Sequence, residues 1–451
     1  MKKKLAIIVL AGVLTSAAGG FADSNDDLRA EQLEEWRDTL RFGIESQVID
    51  LLDELESEAV DDLADSVLEL LELRTNPRLL RAGLRYFKRI EDPRAESIAT
   101  RLLTDAELTD EETALEAMRY LSESVEDAST ETLEVVRSLL TVQSERLAGQ
   151  AALTLGTLGD LDSIELLRRT MQQRREVSVR GNIVLAIGRM GEEARQASAD
   201  WILSVLNDTS VEPTIRHYAA DTLGRIGATE ARDTLLDLSR SNDDLMRAYA
   251  ISALIELDAG GLEEELIAAL RDDNWRVRQI ALEGVGRAGH SAAYEAVRYV
   301  ARRDPDHRVR SEAIRAIGEL GEERGYEFLR KMVKDDGKPF ESRALAVDVL
   351  FRHDLGPSVA TFLSLLEAEA NRRNSRIARH VAGSASRTEH DELDDIYEYL
   401  LDSDDVSMLI SAIRGIGLNR FDRFRDRIEA LASDDRPSTI RRHAQEALDR
   451  L

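Results

Sequence analysis

Val277-Arg-Gln-Ile-Ala281-Leu-Glu-Gly-Val285-Gly286 and Val309-Arg-Ser-Glu-Ala313-Ile-Arg-Ala-Ile317-Gly318 are one phrase written twice, 32 residues apart. A third copy is Arg216-His-Tyr-Ala219-Ala-Asp-Thr-Leu223-Gly224, and looser copies start at Arg180, Arg247, Arg343 and Arg441. With that arginine as anchor, equivalent positions fall at 45, 80, 111, 148, 180, 216, 247, 278, 310, 343, 375, 409 and 441. Glu45, Leu80, Glu111, Ala148, Ser375 and Leu409 stand there in place of arginine. Self-similarity at such a period marks an array of small units, none of which buries its apolar face alone.

Each unit reads as two helices. In the first, Val277, Ile280, Ala281, Leu282 and Val285 recur at helical spacing. Gly188, Gly224, Gly286, Gly318 and Gly417 near its end admit a close neighbour, and Gly191, Gly227, Gly289 and Gly321 stand where a C-terminal cap needs positive φ. A second amphipathic helix follows, as at Phe328, Leu329, Met332 and Val333. Acidic residues precede the next arginine: Asp243 and Asp244, Asp272 and Asp273, Asp304 and Asp306. They suit helix N-caps. No stretch alternates with period two, so no strand is expected. The prediction is an all-α chain, an α-α superhelix of about 12 helical hairpins.

The phrases at Val277–Leu282 and Val309–Gly321 resemble HEAT repeats, nearest to the short HEAT-like repeat first associated with phycobilin lyases. The resemblance covers nearly all of the chain beyond its first residues. It implies a HEAT/armadillo-like solenoid that binds partners along a concave face lined by second helices. It does not name a reaction, since the family includes scaffolds, chaperone-like binders, lyases and hydroxylases.

Lys2, Lys3 and Lys4 precede an apolar run from Leu5 to about Ala18, and Gly20-Phe21-Ala22 offers small residues for cleavage. Residues 1–22 therefore read as a secretory signal, with an uncleaved anchor as the alternative. Residues 23–43 read as a capping helix whose stripe is Leu28, Leu33, Trp36 and Leu40, and 44–451 as the repeat array. No later segment is long and apolar enough to span a membrane. The expected address is the periplasm, with release outside the cell left open. The chain has no cysteine, which removes disulfides and thiol chemistry.

The net charge is −27, or −30 without the leader lysines, and residues 23–73 contribute −15 of it. Such a surface argues against nucleic acid and anionic membranes. The acidic N-terminal region reads as a solvated face, a docking end for a basic partner, or a weak calcium region. The seven histidines, among them His353 and His390, fall at unrelated repeat positions, so no metal or other cofactor is expected.

The recurring Arg180, Arg216, Arg247, Arg278, Arg310, Arg343 and Arg441 are expected to form a structural ladder of salt bridges and caps. Candidate partner-binding residues lie on two successive second helices. Tyr294, Arg298 and Arg302 match Tyr326, Arg330 and Lys334 at a shift of 32, and are expected to form an exposed basic, aromatic strip. The expected function is a non-enzymatic scaffold for another exported protein. The alternatives are a HEAT-like lyase or isomerase acting on a bound cofactor, and a structural spacer of the cell envelope.

Overall fold

The structure, a computed structural model, describes residues 22–105, 110–257, 261–370, 375–433 and 436–451, with side chains of the first helix from Arg29 onward. The expected leader lies outside the described residues except for Ala22, which opens the helix Ala22–Phe42. Among the described residues there is no strand.

Local chemistry sets the helix limits. Asn274 starts the helix Trp275–Ala288 by accepting from the Arg276 N–H, and Gly289 ends it at φ 66°. Asp243 and Asp306 cap Asp244–Glu256 and His307–Glu319 in the same way. The other aspartates of those pre-helix pairs do a different job. Asp272 and Asp304 receive arginines from the preceding pair of helices. Gly191, Gly227, Gly289 and Gly321 all hold positive φ, a conformation costly for any residue with a Cβ.

Contacts divide the chain into two compact units, Met1–Ile226 and Gly227–Leu451. In the first, the pairs Glu45–Glu58 with Ala64–Leu73, Pro77–Arg89 with Glu96–Thr104, Glu111–Ser124 with Thr130–Ser138, Glu145–Thr157 with Ile164–Gln173, and Val177–Met190 with Arg195–Asn207 follow one another, and Pro213–Arg225 ends the unit. In the second, Asp244–Glu256 with Glu263–Ala269, Trp275–Ala288 with Tyr294–Arg303, and His307–Glu319 with Glu323–Lys334 continue the pattern. Phe340–His353 with Leu355–Glu369, Arg376–Ala385 with Asp394–Leu401, and Val406–Asn419 with Arg425–Leu431 lead to the closing helix Ser438–Leu448.

Small residues join consecutive first helices. A Cβ on Gly156 would lie 2.5 Å from the Ala186 carbonyl oxygen, and one on Gly417 would lie 2.9 Å from Ala447 Cα. Thr222 reinforces the seam, its hydroxyl donating to the Val184 carbonyl at 3.0 Å. Second helices approach one another less closely than first helices do. The core between the layers is aliphatic, with Leu52, Leu71, Leu79 and Leu80 in the first unit and Val277, Leu282, Ile314 and Ile317 in the second all fully buried.

Candidate protein-binding surface

The arginine anchors of the second unit form a relay. Arg247 holds Asp272 through two hydrogen bonds of 2.7 and 2.8 Å. The Asp272 backbone carbonyl accepts from Arg278 at 2.8 Å, and Arg278 grips Asp304 through two bonds of 2.7 and 2.8 Å. The Asp304 carbonyl in turn accepts from Arg310 at 2.8 Å. Each aspartate thus binds the preceding arginine with its carboxylate and the following one with its backbone. The Arg278 side chain is 10% exposed and Asp304 5%.

The other anchors vary. Arg343 donates to the Val333 carbonyl at 2.9 Å and lies 3.1 Å from Asp336. Arg180 reaches Glu212 at 2.7 Å, Arg216 reaches the Leu206 carbonyl at 2.8 Å, and Arg441 sits on the last helix. Arg379 pairs with Asp405 at 2.8 Å, 26 residues on, as Arg278 does with Asp304. The equivalent arginine there is Arg379, and Ser375 is instead the N-cap of its helix, accepting from the Ala378 N–H.

The relay makes a signed prediction for pH. Burial acts to raise the Asp272 pKa, but hydrogen bonds from Arg247 and the Asn274 N–H outweigh it and the net shift is downward. Asp306 is held well below the usual carboxylate range, chiefly by its hydrogen bond with Arg308. A carboxyl with a lowered folded pKa stabilises above its unfolded value, about 3.9, and loses that contribution as pH falls through the folded value. Glu319 runs the other way, its pKa raised by burial and by nearby Glu312 and Glu283. Relief of acidic repulsion near the pI of about 4.8 also favours the folded state. The melting temperature is therefore expected to fall only below about pH 4. A melting temperature still level at pH 3 in calorimetric scans would contradict this.

The candidate binding strip is only partly at the surface. Tyr294 is 3% exposed, its hydroxyl donates to the Arg324 carbonyl at 2.9 Å, and the Arg324 guanidinium lies 4.2 Å above its ring. Arg298 bonds Glu295 at 2.5 Å. Tyr326 is half-buried, its hydroxyl donating to the Gly318 carbonyl at 3.3 Å. Arg330 is largely covered and pairs with both Asp354 and Glu323. Arg302 and Lys334 are exposed. The expected exposed stripe is therefore rotated. Tyr294 shares a face with buried Val297 and Ala301, at i, i+3 and i+7, which is the core spacing.

The surface that does emerge runs through Glu295, Tyr299 and Arg302. Tyr299 is 68% exposed, and Arg303, Lys331 and Lys334 are exposed beside it. Arg302, Arg303 and Lys334 make no ion pair among the described residues, and Lys331 meets Glu327 only at 3.7 Å. Tyr299, Arg303 and Lys331 were missed from the sequence, although counting from Val297 and Val300 locates Tyr299 on the open side.

Two clefts lie in the second unit. One, of about 630 Å³, is bordered by His390 and Asn419. There the His390 N–H donates to Asn419 at 2.7 Å, and His390 Nδ1 accepts from the Glu392 N–H at 3.2 Å. The other, of about 570 Å³, holds Trp275. Arg308 lies 3.4 Å above the Trp275 ring and Arg276 lies 4.7 Å from it, so the ring's cation-binding face is engaged within the chain. His353 is exposed, and its pKa is lowered by desolvation and by Arg352. Among the described residues, no group of three or more His, Asp or Glu side chains is placed to hold a metal ion, and no helix is long and apolar enough to cross a membrane.

A sequence profile described as Spirochaete HEAT repeat protein matches residues 40–447. No curated protein matches the sequence. Among solved structures, the chain is similar to Kap95p, described in a structure whose binding induces the switch loops of RanGDP to adopt the GTP-bound conformation. Identity is 13%, the match covers 86% of this chain and 61% of Kap95p, and the TM-score is 0.51. A lower likeness is found to the CpcE and CpcF complex of phycocyanin lyase from Nostoc sp. PCC7120, at 18% identity, covering 52% of this chain and 93% of the other, with TM-score 0.36. An engineered protein matches at 18% identity over 79% of this chain and 98% of its own, with TM-score 0.35.

Proposed function

The chain belongs to the Spirochaete HEAT repeat protein family, and from that premise we propose that it is an exported, non-enzymatic scaffold that holds another protein of the periplasm. The observation that carries this reading is the cluster of Tyr299, Arg302, Arg303, Lys331 and Lys334 on two neighbouring second helices. In a chain of net charge −27, four exposed cations and an exposed tyrosine on successive second helices are a local excess of positive charge. Tyrosine and arginine are enriched where proteins meet, because they combine large contact area with directed hydrogen bonds. Export is supported by the lysine-led apolar run at residues 1–22, and the acidic composition disfavours nucleic acid as a partner.

The test is capture of partners from periplasmic extract on the immobilised chain. The double variant R302E/K334E is expected to lose most of that capture while keeping its helical circular dichroism, since both side chains are exposed and outside the relay. Undiminished capture removes the cluster from the reading.

A further inference from the structure

The first helix, Ala22–Phe42, carries a second set of unpaired charges. Leu33, Trp36 and Leu40 turn one face toward the rest of the first unit, with Leu40 only 3% exposed. On the opposite face, Glu31, Glu34, Glu35 and Asp38 are all exposed and make no ion pair among the described residues. Their spacing of three and four residues gathers them into one stripe about two turns long. Phe42, at 73% exposed, continues that stripe four residues beyond Asp38. The stripe therefore has an acidic body bordered by exposed Arg37 and Arg41, and an aromatic end over which the Arg41 guanidinium lies at 5.3 Å. The second unit has a complementary set, exposed Tyr299, Arg302 and Arg303 on one second helix and exposed Lys331 and Lys334 on the next.

We propose that the acidic face of this helix in one copy of the chain docks on the cationic cluster of a second copy. The idea rests on the reading that the cluster is a contact surface, and goes further by adding a second copy of the chain as an occupant that competes with the partner. Charge complementarity argues for it, and so does supply, since every molecule carries both halves. The overall charge of −27 does not forbid such contact. At physiological ionic strength the Debye length is about 8 Å, so surfaces in contact respond to nearby charges while distant ones are screened. The two faces differ, which makes the contact heterologous: each copy offers one half of the joint and accepts the other.

Sedimentation velocity over a wide range of concentration tests this. At physiological salt the chain is expected to associate reversibly, and at 1 M salt, where the Debye length is about 3 Å, to run as a monomer. The variants R302E/K334E and E35K/D38K are each expected to weaken association by roughly tenfold or more. Mixing the two is expected to restore it, because each then presents one face matched to the other. A wild-type chain that stays monomeric throughout overturns the proposal, as does association that neither variant affects. Association lost in R302E/K334E but retained in E35K/D38K also overturns the self-contact. Partner capture lost in R302E/K334E and kept in E35K/D38K, from a chain that sediments as a monomer throughout, would preserve the scaffold reading while self-docking falls.

Discussion

Arg278→Ala is expected to destabilise the second unit by about 3–5 kcal/mol, because it strands the Asp304 carboxylate in a site only 5% exposed. An uncompensated buried charge costs far more than the net value of the pair, so the aspartate left behind produces most of the loss. Two further carbonyls, of Asp272 and Asp273, would lose the guanidinium as donor. The double variant Arg278→Ala with Asp304→Ala is expected to recover part of the loss, giving a coupling of about 0.5–3 kcal/mol in a double-mutant cycle. Calorimetry reads the total. Hydrogen exchange reads the location, which should centre on Trp275–Ala288 and His307–Glu319, since damage in a repeat array is felt first by nearest neighbours. A single variant that melts within a degree of the wild type would show that the buried pair carries little.

Gly156→Ala should be the next most damaging change. Alanine ordinarily stabilises a helix interior relative to glycine by about 0.5–1 kcal/mol. At Gly156 the added methyl would meet the Ala186 carbonyl oxygen at 2.5 Å and its Cα at 2.6 Å, both main-chain atoms of the neighbouring first helix. Those atoms cannot rotate away, so the two helices must separate, at a cost of about 1–3 kcal/mol. The control is Gly383→Ala, where the nearest atom is the flexible end of Arg387 at 3.5 Å. It is expected to gain about 0.5–1 kcal/mol. Two identical substitutions, each in a first helix of its own unit, should therefore shift the melting temperature in opposite directions. Equal shifts would mean that close approach does not govern this seam.

The paired helices, their caps and the small-residue contacts are legible in the sequence because each depends on residues a few positions apart. Gly289 ends its helix for a local reason, and Asp306 caps its own for another. The pairing of Arg278 with Asp304 is less visible, since it joins residues 26 positions apart across two turns and a helix. The anchor at Arg379 was displaced to Ser375 because counting from one repeat to the next assumes equal connections, and this one differs from its neighbours. The binding strip shows the sharpest difference. Reading Tyr294 as exposed required ignoring its i, i+3, i+7 relation to Val297 and Ala301, a rotation of one residue that moves the ring from solvent into the interior.

The relay carries a consequence for how such a chain can change in length. At each complete junction the arginine bonds a backbone carbonyl six residues behind it and a carboxylate 25 or 26 residues ahead, so the fastening is written in two residue types at nearly constant offsets. Excising the stretch from Arg247 up to Arg278 would bring Arg278 to the cut with its own carboxylate intact ahead. The splice would need only a carbonyl in register behind it. Lineages could then lengthen or shorten the protein by whole hairpins without inventing a new joint.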